Sequence, residues 1–199
     1  IYRGLVGSEM CIRDSIDTRS SKVINAFSSQ NILFVNDVSS GFHDMNILKT
    51  VSNLKCNYIM THMPAEHQKG LNKKYNNVLD ELNIFFNERI KSCIDQGIDK
   101  EKIIIDPGIG FGKSGDDNIK ILENIDVLKS IHANICIGSS NKRFSSKLFD
   151  GIETKDDLKV ANLATFAVSS LRGATYLRVH DVDITKDTIM IIDKVKNVS

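Results

Sequence analysis

The sequence predicts an α/β fold, a (β/α)8 barrel in part, and three observations predict it. Short apolar runs alternate with amphipathic stretches along most of the chain. The runs carry little polar alternation, as strands buried on both faces do in a parallel sheet covered by helices. Polar side chains stand at or just past the ends of those runs: Asp17, Asn36, His62, Asp106, Ser140 with Lys142, and Arg178 with His180. In a barrel these ends converge on one mouth, whereas in a doubly wound open sheet only those near the switch point meet. Polar βα loops are common in any such fold. Their recurrence at one strand end after another is what favours the barrel.

Taken in order, the first residues, IYRGLVGSEMCIRDS, show neither helical nor strand periodicity. They resemble the translated adapter sequence that can contaminate assembled sequencing reads. Residues 1–14 are therefore expected to be non-native, and one domain is expected over 15–199. The strands are NILFVND (31–37), NYIMTH (57–62), KIIIDPG (102–108), NICIGSS (134–140) and TYLRVHD (175–181). Between them, Val78, Leu79, Leu82, Phe85, Phe86, Ile90 and Cys93 make a helical stripe stopped by Gly97. Ile119, Leu122, Ile125 and Leu128 make a second, opened by Ser114–Asp117. Leu158, Ala161, Ala164, Val168 and Leu171 make a third, ending at Gly173. Pro64 and Pro107 both follow strands and leave the helices uninterrupted.

Composition narrows the function classes. With 199 residues, 41% hydrophobic and 26% charged, the chain suits one globular domain with its own core. A net charge of +1 supplies no field toward nucleic acid or a membrane surface, so any anion site must be local. Cys11, Cys56, Cys93 and Cys136 are scattered with no CxxC pair, which predicts reduced thiols and a cytoplasmic protein. No apolar run reaches the length of a membrane span. His43, His67 and His132 lack partners at metal-site spacing and read as surface or loop residues. His62 and His67 could share a metal only if their loop folded back.

The most informative segment is Asp106-Pro107-Gly108-Ile109-Gly110-Phe111-Gly112-Lys113. A carboxylate ends a buried strand, and glycines then let backbone approach a flat ligand. An ionised carboxylate can accept two parallel N–H bonds from an amidine-like edge, such as the 2-aminopyrimidinone of a pterin. Gly112-Lys113-Ser114 also looks like the end of a phosphate-binding P-loop. That motif needs a glycine at position 107, which is proline. In Leu177-Arg178-Val179-His180-Asp181, strand alternation would turn Arg178 and His180 to the same side. Together they would form a local anion site, although a surface ion pair with Asp181 or Asp183 would explain the segment too. In Ile137-Gly138-Ser139-Ser140-Asn141-Lys142, the lysine could reach into a barrel mouth or stay solvated. Asp17 and Asn36 each put a side-chain oxygen at a strand end.

In order, IDT, VNDVSSG, MTHMP, IDPGIGFGK, GSSNKRF and LRVHDV resemble the motif series of dihydropteroate synthases, pterin-binding TIM-barrel transferases of folate biosynthesis. The resemblance runs from Ile16 to the C-terminus. It implies condensation of 6-hydroxymethyl-7,8-dihydropterin pyrophosphate with p-aminobenzoate, giving 7,8-dihydropteroate and pyrophosphate. It also implies a pterin pocket of Asp17, Asn36, Asp106, Gly138 and Lys142, with Phe111 and Ser140 toward p-aminobenzoate. Arg178 and His180 would hold the pyrophosphate at the other end, and Asp106, Lys142, Arg178 and His180 would be the catalytic group. Mg2+ as cofactor and a homodimer are implied as well. A methyltetrahydrofolate-dependent corrinoid methyltransferase is the near rival, and it has no pyrophosphate to bind.

Three departures accompany the resemblance. Thr61 stands where the family usually has methionine, and Asn141 where it usually has a basic residue. The Asn-x-Thr-Pro-Asp-Ser-Phe loop of the family's first strand, with its Mg2+-binding Asn, and the Arg-Pro-Gly loop of its second are not in this sequence, so no metal ligand can be named. Counted from Ile16, the barrel lacks its first two to three βα units, and five complete strands cannot close an eight-stranded ring. The chain by itself is accordingly expected to be inactive and to expose strand edges that invite aggregation.

Overall fold

A computed structural model describes residues 3–7, 12–30, 32–139 and 154–196. Each apolar run forms a strand. After β1 (Arg3–Gly7) and β2 (Ile12–Asp17) come β3 (Phe34–Asp37), β4 (Asn57–Thr61), β5 (Ile103–Asp106), β6 (Cys136–Ile137) and β7 (Tyr176–Arg178). The sheet order is β5-β4-β3-β2-β1-β7-β6. The pairs β2–β3, β3–β4, β4–β5 and β6–β7 are parallel. The two ends of that order meet through a parallel bridge between Ile105 and Ile135, where the Ile105 N–H donates to the Asn134 carbonyl at 3.0 Å. The sheet thus returns on itself as a ring. Between β2 and β7 lies β1, antiparallel to both.

The helices cover the outside. They are α1 (Ser21–Ala26), α2 (Ile47–Leu54), α3 (Ala65–Gln68), α4 (Val78–Asp95), α5 (Gly115–Glu123), α6 (Ile125–Leu128), α7 (Lys155–Leu171) and α8 (Val182–Lys196). Helix α4 buries Val78, Leu82, Phe86, Ile90 and Cys93, as its stripe predicts, and Gly97 follows at φ +86°. The second stripe breaks into two helices at Asn124, and its entry is a capping box between Ser114 and Asp117. The third is turned from its expected face. Helix α7 buries Ala161, Asn162, Thr165, Phe166 and Ser169, whereas Val168 and Leu171 are exposed. Thr165 and Ser169 can be buried because each hydroxyl donates to the carbonyl four residues back, at 2.8 and 2.7 Å. An apolar count alone passes over such positions.

Two apolar layers follow from strand alternation. Val35, Tyr58, Met60, Ile103, Ile105 and Ile137 join the helices in the larger core. Phe34, Ile59, Ile104 and Cys136, with Tyr176 packed against them, form a separate cluster. These side chains point to the face opposite the helices, so they fill the inside of the ring. Two residues further along each strand, on the same face, stand Asn36, Thr61, Asp106, Gly138 and Arg178. One polar layer therefore caps the inner apolar layer at the strands' C-terminal ends.

Candidate functional site at the barrel mouth

Asp106 is fully buried and sits at the centre of this polar layer. One carboxylate oxygen accepts from the Gly108 N–H at 2.8 Å. The other accepts from the Thr61 hydroxyl at 3.3 Å and pairs with Arg178 Nη2 at 2.7 Å. The β4–β5 register puts Thr61 opposite Asp106. Arg178 Nη1 also donates to Asn36 Oδ1 at 3.0 Å, and Asn36 Nδ2 donates to Asp17 Oδ1 at 3.1 Å. The register of β2 with β3 puts those last two residues level. Five strand ends thus share one hydrogen-bonded group. Burial opposes the charge on Arg178, but Asp106, with Cys136 and Asp17, outweighs it and raises the guanidinium pKa above its ordinary value.

Gly138 is required sterically. A Cβ there would lie 2.3 Å from Arg178 Nη2 and 2.7 Å from Cζ, so the missing side chain is the space the guanidinium occupies. Gly108, at φ +70°, is required twice over, because a Cβ would come within 2.2 Å of the His62 carbonyl oxygen. Lys113 secures this loop. It is buried, and its Nζ donates to the carbonyls of His62, Gly108 and Phe111 at 3.1, 3.0 and 3.2 Å. A P-loop lysine would have to aim at phosphates. Here the ammonium is engaged by the chain's own carbonyls, and the sheet is closed rather than open, so the P-loop reading fails.

The neighbouring strand ends carry support that the sequence did not reveal. Asp37 is fully buried and accepts from the Ser39 N–H and hydroxyl, the Gly41 N–H and the Tyr58 hydroxyl, at 2.8, 2.6, 2.7 and 2.7 Å. These bonds shape the β3 loop. The pattern Asp-x-Ser-x-Gly is the one signal that could have marked them. Burial, with Asp37 next to it, pushes the Tyr58 hydroxyl pKa well up. His62 is buried, edge-on to Phe85 with ring centroids 4.8 Å apart. Burial, then Lys113 and Lys73, lowers its pKa to about 2, so the ring is neutral. Among the described residues its Nδ1 has no hydrogen-bond partner. Its ring packs against Phe85 rather than joining the hydrogen-bonded group at the mouth.

The expected site residues are brought together in part. Asp17, Asn36, Asp106, Gly138 and Arg178 meet in the group above. Arg178 lies at its carboxylate end and not at the far end. Phe111, in the glycine loop, packs edge-on to His67 at 5.0 Å. His180 and Arg178 do not share an environment. The strand stops at Arg178, so alternation no longer applies beyond it, and His180 falls in an exposed bend. Ser140 and Lys142 lie outside the described residues. His132, expected at the surface, is buried: Nδ1 accepts from the Asn134 N–H at 3.1 Å, leaving Nε2 to donate to the Lys100 carbonyl at 3.0 Å. Among the described residues no group of three or more His, Cys, Asp or Glu side chains could hold a metal ion. The described residues therefore supply no all-protein cage for Mg2+.

Known proteins resemble the chain over most of its length. A family described as pterin binding enzyme matches residues 4–180. The mitochondrial folate synthesis bifunctional protein of Pisum sativum is 32% identical over 193 residues, covering 91% of this chain and 37% of the pea protein. The dihydropteroate synthase of Synechocystis is 30% identical, covering 93% of this chain and 64% of that enzyme. This chain therefore spans less than two thirds of either protein. The Xanthomonas albilineans dihydropteroate synthase, solved with 4-aminobenzoic acid, superposes with a TM-score of 0.85 at 33% identity, covering 93% of this chain and 68% of that one. The same enzyme solved with 7,8-dihydropteroate gives 0.84 at 32%, covering 93% and 67%. A profile that takes in most of the chain, and a matching barrel whose mouth gathers the expected carboxylate and amide, lead to one conclusion: the chain belongs to the pterin binding enzyme family.

Proposed function

We propose that the mouth binds a dihydropterin pyrophosphate and that the protein acts as a dihydropteroate synthase. The single observation that carries this reading is the buried Asp106 carboxylate, held level with Thr61 and within one hydrogen-bonded group of Asn36 and Asp17. An ionised carboxylate beside an amide matches the 2-amino and N3–H donors of a pterin with its neighbouring ring acceptors. Lys142 and Gly138 complete the pterin side in this reading, and Phe111 and Ser140 flank the p-aminobenzoate. Arg178 and His180 would receive the pyrophosphate, with Arg178 leaving Asp106 to do so. The relatives solved with 4-aminobenzoic acid and 7,8-dihydropteroate support the choice of substrates.

The reaction asks for positioning more than for proton transfer. The aniline nitrogen attacks the exocyclic methylene, the methylene C–O bond breaks, and its electron pair leaves with pyrophosphate; the nitrogen then loses a proton to solvent. Asp106 and Asn36 would hold the ring so that the methylene points outward. Arg178 would stabilise charge on the leaving group, which is where fixed donors contribute most. No step is routed through Mg2+, for which the described residues supply no ligand set.

Two further features belong to the proposal. Exposed Val160, Val168 and Leu171 on α7 and Ile184, Ile191 and Val195 on α8 lie at helical spacing and suit a second copy of the chain. Cys56, Cys93 and Cys136 are buried thiols outside any disulfide, as a reducing cytoplasmic setting would keep them.

Calorimetric titration tests the reading. The chain is expected to bind dihydropterin pyrophosphate more tightly than the phosphate-free pterin, and D106N is expected to weaken both on the order of tenfold or more. Equal affinity with and without pyrophosphate would favour the methyltransferase reading. Unchanged binding by D106N would refute the pterin pocket.

A further inference from the structure

Arg178 occupies the place that the proposed function gives to the pterin edge. Its two terminal nitrogens reach Asp106 at 2.7 Å and Asn36 at 3.0 Å, and its plane lies in the space left open by Gly138. Asp106, Asn36 and Gly138 are three of the residues assigned to the pterin. The chemistry matches as well as the position. A guanidinium is a flat fork of N–H donors, and the 2-amino-4-oxo edge of a pterin is a cyclic guanidine with the same paired donors. The residue is only 8% exposed, so the pairing is made away from water, where a broken contact is not replaced cheaply.

We propose that Arg178 is a built-in occupant of the empty pterin pocket and, through that role, a specificity-determining residue for the diphosphate. This rests on the proposed function, because it takes Asp106 and Asn36 as the pterin's partners. A ligand that reaches Asp106 must first expel the guanidinium from a buried ion pair. A pterin without phosphate bears that cost with no return. A pterin diphosphate supplies both the edge that displaces Arg178 and the anion that receives it. The pocket therefore discriminates by penalising the wrong ligand as well as by holding the right one. Apparent affinity for the bare ring falls by the fraction of molecules in which the pocket is vacant.

Linkage makes this testable without any substitution. An anion that draws Arg178 away must raise affinity for the bare ring, and the ring must raise affinity for the anion by the same factor. Titrating the full chain with 6-hydroxymethylpterin, with and without saturating inorganic pyrophosphate, should show a gain on the order of tenfold. In R178A the bare pterin should bind more tightly than in the parent by a similar factor, and pyrophosphate should no longer affect it. Methylguanidinium should compete with the pterin in R178A and not in the parent. Pterin binding that is indifferent to pyrophosphate in the parent, or weaker in R178A, overturns the occupant role while leaving the pterin pocket standing. A parent chain and R178A that both fail to bind any pterin, with or without its diphosphate, remove the pterin reading itself and this inference with it. If R178A does not fold, the parent titration decides alone.

Discussion

At the scale of single residues, the site relies on side chains whose burial is compensated and on one whose burial is not. Asp106 and Asp37 each accept several hydrogen bonds, so their lost hydration is replaced. His62 is buried with Nδ1 unpartnered, and its Nε2 is 4.0 Å from Glu81, too far for a hydrogen bond. Its folded pKa, lowered to about 2, lies below the ordinary 6.5. The unfolded chain therefore takes up a proton that the folded chain refuses. The contribution of His62 is complete above pH 6.5 and is lost as pH falls toward 2. Within that window the slope is at most about 1.4 kcal/mol per pH unit. H62F keeps a ring against Phe85 and removes the titration. Urea unfolding across pH 4–7 should show a flatter stability profile for H62F than for the parent. Parallel profiles would mean that His62 does not titrate between the two states.

At the scale of elements, strands were more legible than helices, and the reason is alternation. Ile103-Ile104-Ile105 is continuous in the sequence because one face of the strand meets helices and the other fills the ring. The same alternation carries Asn36, Thr61, Asp106, Gly138 and Arg178 to one layer, so most of the candidate site could be read from strand ends. Helix α7 departs from its apolar stripe because its buried face includes Thr165 and Ser169, which satisfy their hydroxyls locally and so pass for solvent-facing residues. The β5–α5 turn held a different surprise. Lys113 stands where a P-loop would carry its phosphate-facing cation, yet it ties the turn to the end of β4 through the His62 carbonyl, a contact that no local pattern encodes, and braces the turn internally through the carbonyls of Gly108 and Phe111. K113M keeps the stem and removes these donors. It should destabilise the protein by about 1–3 kcal/mol and weaken pterin binding, because Gly108 donates to Asp106 from within the same turn. A midpoint in urea equal to that of the parent would contradict this role.

At the scale of the whole molecule, closure of the ring is what brings distant residues into one mouth: Asn36 and Arg178 touch across 142 residues of sequence. The side chains that meet there come from β2, β3, β4, β5 and β7. The segment 3–7, which no periodicity singled out, lies between β2 and β7 and pairs with both. A chain beginning at Ile12 would leave two strand edges open. It should elute with a larger share of aggregate in size-exclusion chromatography than the 199-residue chain at equal concentration, and an equal share would mean that β1 contributes little to closure. The most direct test of the central claim, that these strand ends form one pterin pocket with Arg178 as its resident, is a crystal structure of the chain soaked with dihydropterin pyrophosphate. The expected result is the ring's amino edge on Asp106, with the guanidinium displaced toward the diphosphate. A ligand bound elsewhere, with the Asp106–Arg178 pair intact, would contradict it.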